Sequence, residues 1–167
     1  MTSKERRSEL RDLRQRFREA KATSNARARD LALRLRTLRQ QMATLMGDAT
    51  ACSGCASGCG LPEGRWDGGY CCSTATEAVF NGEEVFALAL AGTRFRDLKP
   101  VKMTGGGCAF RGPKGCTLTA ENRPTLCVRY ACTDLRRDLH RRGLLDAAER
   151  LEDEMADVYL ELTNLRR

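Results

Sequence analysis

The sequence predicts a mainly α-helical protein in which a small, irregular, metal-stabilised cysteine-rich module is inserted between two long helices that pair as an antiparallel coiled-coil stalk. Three observations predict it. All nine cysteines fall between Cys52 and Cys132. Both flanks carry apolar residues at alternating spacings of four and three, which line up along one face of a helix. The flanks also differ in charge, basic before the cysteines and acidic after them. On this basis the 167 residues divide into a basic coiled-coil helix over 1–47, a metal-binding module over 48–132 and an acidic coiled-coil helix over 133–167.

In the first flank Leu31, Leu35, Leu38, Met42 and Leu45 share a face, and Leu10, Leu13, Phe17 and Ala20 extend it backwards. No proline or glycine precedes Gly47. The spacing therefore predicts one helix from Ser3 to Met46, roughly 65 Å long at 1.5 Å per residue. In the last flank Leu144, Ala148, Leu151, Met155, Val158, Leu162 and Leu165 predict a second helix from Thr133 to Leu165, with Gly143 weakening it locally. Residues 1–40 hold 13 Lys/Arg against five Asp/Glu, whereas residues 144–162 hold seven acids against Arg150 alone. Antiparallel pairing would set that acidic stretch beside Lys21, Arg27, Arg29 and Arg34. Beyond Arg16 the first helix would outrun its partner. Its overhanging Arg6, Arg7, Arg11 and Arg14 are the expected point of contact with another molecule, a nucleic acid among the candidates.

The central module has few aromatic residues and would bury little apolar surface, so a cross-link or bound metal is expected to complete its fold. Residues 1–17 alternate charged with single apolar residues and offer no signal-peptide core. The longest apolar run, Val85 to Ala91, falls far short of a membrane span. A cytoplasmic location follows as the expectation. In a reducing compartment, nine cysteines read as metal ligands before they read as disulfides.

The ligand set opens with Cys52 and Cys55 in a CxxC, followed by Cys59 and the vicinal Cys71 and Cys72. Two intervening residues let both sulfurs of a CxxC converge on one ion, and neighbouring glycines let the backbone turn toward them. A short helix comes next, with Asn81 as N-cap, Glu84 three residues on as its capping-box partner and Gly92 as terminator. Cys108, Cys116, Cys127 and Cys132 complete the set within GGGCAFRGPKGC and RPTLCVRYAC. Gly105 to Gly107 do not open a phosphate loop, because Pro113 stands after Gly112 where that signature requires lysine.

Between Cys52 and Cys132 the chain resembles the YkgJ-like CxxCxxCC cysteine-cluster family, described as zinc- or iron-chelating domains. The matching features are the CxxC at Cys52 and Cys55, the Cys71–Cys72 doublet with the Glu83-Glu84-Val85 helix after it, and the ordered tail Cys108, Gly115-Cys116, Arg123-Pro124, Cys127, Tyr130 and Cys132. The sequence departs from that pattern in three places. An insertion containing Cys59 separates the CxxC from the doublet, Thr119 and Ala120 stand where a tyrosine is usual, and Ala131 replaces a proline. The resemblance implies chelation, and eight matching thiolates could form two four-cysteine sites, or one with the remainder capping or reduced. Lys99, Lys102, Arg111, Lys114, Arg123 and Arg129 against Glu121 alone would offset their negative charge.

Zinc and iron, the latter alone or in an iron–sulfur cluster, suit such a donor set equally. Closed all-cysteine sites are structural and lack the open position that hydrolysis needs. His140, the single histidine, lies on a charged helical stretch and reads as solvated surface. The expectation is a metal-binding structural or adaptor protein that engages a protein partner through its stalk. The alternatives are an iron–sulfur electron carrier and a zinc-dependent nucleic-acid binder.

Overall fold

The computed structural model describes residues 2–20, 25–47, 75–101, 107–112 and 115–166. Cys52, Cys55, Cys59, Cys71 and Cys72 lie outside them. The described residues are mainly helical: α1 (Ser3–Ala20), α2 (Ala26–Met46), α3 (Thr76–Val79), α4 (Gly82–Leu90), α5 (Thr125–Arg129), α6 (Thr133–Arg141) and α7 (Leu145–Asn164). A two-stranded antiparallel ribbon, β1 (Arg111–Gly112) and β2 (Gly115–Cys116), pairs Arg111 with Cys116. No described helix is long and apolar enough to cross a membrane.

The single first helix expected from Ser3 to Met46 is two helices. Asn25 takes extended backbone angles and its side chain accepts a hydrogen bond from the Ala28 N–H at 3.3 Å, starting α2 afresh. An asparagine so placed competes with helix continuation by satisfying a backbone donor itself. Asn25→Ala should cost about 1 kcal/mol of stability, within the usual range for a lost N-cap. An unchanged urea midpoint would refute that.

The expected last helix is also divided. Gly143 sits at φ +68°, and Leu144 N–H bonds back to Leu139 O at 2.9 Å, the six-to-one closure of a Schellman stop. Gly143 therefore ends α6 rather than weakening one long helix. Arg136 on α6 then reaches Glu149 (2.7 Å) and Glu152 (3.3 Å) on α7.

Helices α2 and α7 pack antiparallel. Arg27 meets Glu161 at 2.6 Å and Arg34 meets Glu154 at 2.8 Å, so the partner number falls as the first rises. These pairs are half-exposed and set register more than stability. The apolar faces beneath them hold the helices together. Leu31, Leu35, Leu38 and Met42 on α2 and Ala148, Met155, Val158 and Leu162 on α7 are all buried in one cluster, which also takes in Phe86, Ala87, Val128, Leu135 and Leu139. Thus the α2–α7 pair is embedded against α4 and α5 and does not project as a stalk.

Leu13 and Phe17, read as a continuation of the same face, enter a different cluster. With Val79, Phe80, Val85, Leu88, Leu98, Phe110 and Leu118 they form a second core on the other side of α4. The nine-residue α4 feeds both clusters, which is why it is apolar all round beyond its first turn. The middle of the chain thus contributes a substantial apolar interior, contrary to the expectation of a module with little to bury. Helix α1 folds back on that interior, so the predicted overhang does not form. Arg6 is half-buried and donates to Gly107 O at 2.9 Å, and Arg16 donates to Phe80 O. Arg7, Arg11 and Arg14 are exposed, Arg14 lying over the Phe95 ring at 5.9 Å.

Candidate metal centre

Four of the nine predicted ligands are described, and they divide between the two cores. Cys108, Cys116 and Cys127, each half-buried, pack against the α1-side cluster, whereas Cys132 packs against the α2–α7 cluster. The β1–β2 ribbon explains the first pairing. Arg111 N–H bonds to Cys108 O at 3.2 Å before the chain turns, and β2 returns with Cys116 opposite Arg111. Cys127 arrives separately, in the first turn of α5. No disulfide forms among the described residues. Nor do three Cys, His, Asp or Glu side chains among them gather closely enough to hold a metal ion. His140 is exposed on α6, as expected.

Burial pushes the Cys108 thiol up to about 11, opposed by hydrogen bonds from the Phe110 N–H and from Thr76. A thiol so placed stays protonated near neutrality unless a cation compensates it, and metal coordination deprotonates thiols outright. The donor set fits a thiolate-binding metal in chemistry. Three of the thiols pack against one core, on segments that could each contribute a ligand alongside the five cysteines outside the described residues.

Two polar clamps hold these segments. The first comes from α1. Glu9 accepts the Thr76 N–H at 2.9 Å and pairs with Arg6 at 3.0 Å, while Arg6 also reaches Gly107 O. Thr76 Oγ1 in turn accepts the Ala109 N–H at 2.9 Å. One pair of side chains therefore ties the residues just after the Cys71–Cys72 doublet to those flanking Cys108.

The second clamp lies between the two cores. Arg39 on α2 and Glu84 on α4 are an ion pair at 3.5 Å with side-chain exposures of 0% and 4%. Glu84 does not close the capping box expected of it. Asn81 accepts the Glu84 N–H at 2.9 Å as predicted, but the carboxylate turns the other way. Its Oε2 accepts the N–H and hydroxyl of Thr125 at 2.9 and 3.1 Å, and its Oε1 accepts the Leu126 N–H at 3.4 Å. Arg39 Nη2 donates to Thr125 Oγ1 at 2.8 Å, while its Nε and Nη1 are buried without a hydrogen-bond partner. Burial pushes the Glu84 carboxyl above the usual carboxylate range, and the Arg39 charge and the Thr125 donors oppose it.

Sequence reasoning missed both clamps. Arg39 did carry a signal: it falls four residues after Leu35 and three before Met42, squarely on the buried stripe. Of the six basic residues expected to offset thiolate charge, Lys102 and Lys114 lie outside the described residues. Arg111, Arg123 and Arg129 are half-buried, and Arg123 spends its Nε on Leu118 O at 2.9 Å.

Comparison with known proteins adds no assignment. No family model, no curated protein and no solved structure matches the chain. The functional reading therefore stands on the residues themselves.

Proposed function

We propose that this chain is a metal-binding cysteine-cluster protein of the CxxCxxCC type, holding zinc or iron, with a structural or adaptor role rather than a catalytic one. The observation that carries the reading is that Cys108, Cys116 and Cys127, which come from separate segments, all pack against one apolar core. Cysteines that form no disulfide among the described residues, in a chain with a single exposed histidine, suit a closed thiolate site. Five further cysteines between Cys52 and Cys72 supply enough sulfur to complete it. The adaptor part draws on the outer face of α7, where Asp146, Asp153, Asp157 and Leu160 are exposed and offer an acidic surface to a protein partner.

The test is protein purified without oxygen and analysed for metal. Stoichiometric zinc in colourless protein, or iron with visible charge-transfer absorption, is the expected result, and the second outcome identifies an iron or iron–sulfur centre. Serine at Cys108, Cys116 or Cys127 should each reduce the bound metal. Metal-free protein that keeps reduced thiols and an unchanged cooperative melt in chelator would sink the reading.

A further inference from the structure

Two sequence features that are 41 residues apart meet in the folded chain through one carboxylate. Glu84 belongs to the Glu83-Glu84-Val85 start of α4, and Thr125 to the Arg123-Pro124-Thr125 entry into α5. Cys127 lies two residues further on, its own N–H bonded to Pro124 O at 3.0 Å.

Helix α5 has only five residues, too few to hold a helical geometry unaided. Its first turn is held from outside, by the three hydrogen bonds it gives to Glu84. Arg39 fixes that carboxylate from a third helix. As a source of stability the arrangement is poor. A buried ion pair is commonly matched or bettered by apolar residues of the same volume, and this one also leaves two arginine nitrogens unsatisfied. What apolar residues could not supply is an acceptor, rigidly placed, for the Thr125 and Leu126 N–H groups.

We propose that Glu84 is a positioning residue for the sulfur ligand at Cys127, acting through the first turn of α5; the inference rests on the metal-binding reading above. Metal ligands depend on such outer partners for orientation, and their loss typically costs about 10- to 100-fold in metal affinity.

Two variants of the full chain isolate the acceptor. Arg39→Met/Glu84→Gln removes both charges but keeps an amide oxygen where the carboxylate stood. Arg39→Met/Glu84→Met removes the acceptor as well. Zinc affinity is measured by competition with a chromogenic chelator. In metal-free protein, alkylation of Cys127 by iodoacetamide is followed by mass spectrometry with Cys132 as internal reference. The Glu84→Met double variant should bind zinc about 10- to 100-fold more weakly and alkylate Cys127 several-fold faster, while the Glu84→Gln double variant stays close to wild type in both. Equal behaviour of the two variants would overturn the proposal and leave the pair a structural link only. Should no protein bind zinc, the metal reading fails, and the alkylation ratio still decides whether Glu84 orders Cys127. Should the Glu84→Met variant not fold, Thr125→Pro replaces it, deleting both Thr125 donors to Glu84 at a first helical position that tolerates proline. The same loss is then expected, and wild-type behaviour overturns the proposal.

Discussion

Arg39→Met should destabilise the protein by about 3–5 kcal/mol, the range for breaking one half of a buried ion pair. The methionine fills much of the same volume, so the loss is electrostatic in origin. Glu84 is left ionised at 4% side-chain exposure with only the Thr125 and Leu126 donors to stabilise it. The effect also has a direction in pH. Burial already pushes Glu84 upward, and removing Arg39 removes the largest opposing influence. A carboxyl whose pKa is raised by folding stabilises the folded state while protonated and loses that contribution as pH rises through the raised value. The deficit of the variant should therefore shrink as pH falls from 8 toward 5. Urea midpoints of wild type and variant at the two pH values measure this directly. A deficit that is constant across the range, or greater at pH 5, would show that Glu84 is not the group left exposed to the cost.

Phe17→Ala should cost about 3–5 kcal/mol, as large aromatic truncations in packed cores do. Phe17 is only 1% exposed, in the same cluster as Phe80 and Phe110, whose rings lie 5.3 Å apart. It is one of two buried residues on α1, so losing it removes half of that helix's buried anchorage. The consequence should spread beyond packing, because α1 also carries Arg6 and Glu9. Hydrogen exchange in the variant is expected to rise over residues 3–20 and at Thr76 and Ala109, whose N–H groups the first clamp holds directly or through Thr76. Were α1 a projecting arm, the substitution would be close to neutral. A variant with an unchanged midpoint would restore the projecting-helix picture.

Much of the helical content was legible in the sequence. The four-three spacing located the apolar faces of α2 and α7, and the charge contrast between the flanks anticipated the Arg27–Glu161 and Arg34–Glu154 contacts. Asn81 and Gly92 marked the ends of α4, the latter through Thr93 N–H bonding to Leu88 O at 2.9 Å across a glycine at φ +93°. The helix boundaries were less legible. Asn25 reads as one polar residue among several until its backbone leaves helical angles, and the absence of glycine or proline before it concealed the break. At the candidate site, four of the predicted ligands are described, and three of them pack against one core. Their supports were not foreseen, since Glu84 looks the same whether it caps its own helix or another.

By itself, the sequence determined which residues are apolar on one side of a helix, where thiols are concentrated and where the charge changes sign, because these are properties of spacing and composition. Only the tertiary structure decided that Leu13 and Leu35 serve opposite sides of α4, that α1 folds back, and that Arg39, Glu84 and Thr125 meet. Periodicity specifies a face but not what it will face. Which partner covers it depends on the distance and direction the chain travels between elements, which the helix start at Asn25 and the helix stop at Gly143 help to set and a residue pattern alone does not orient.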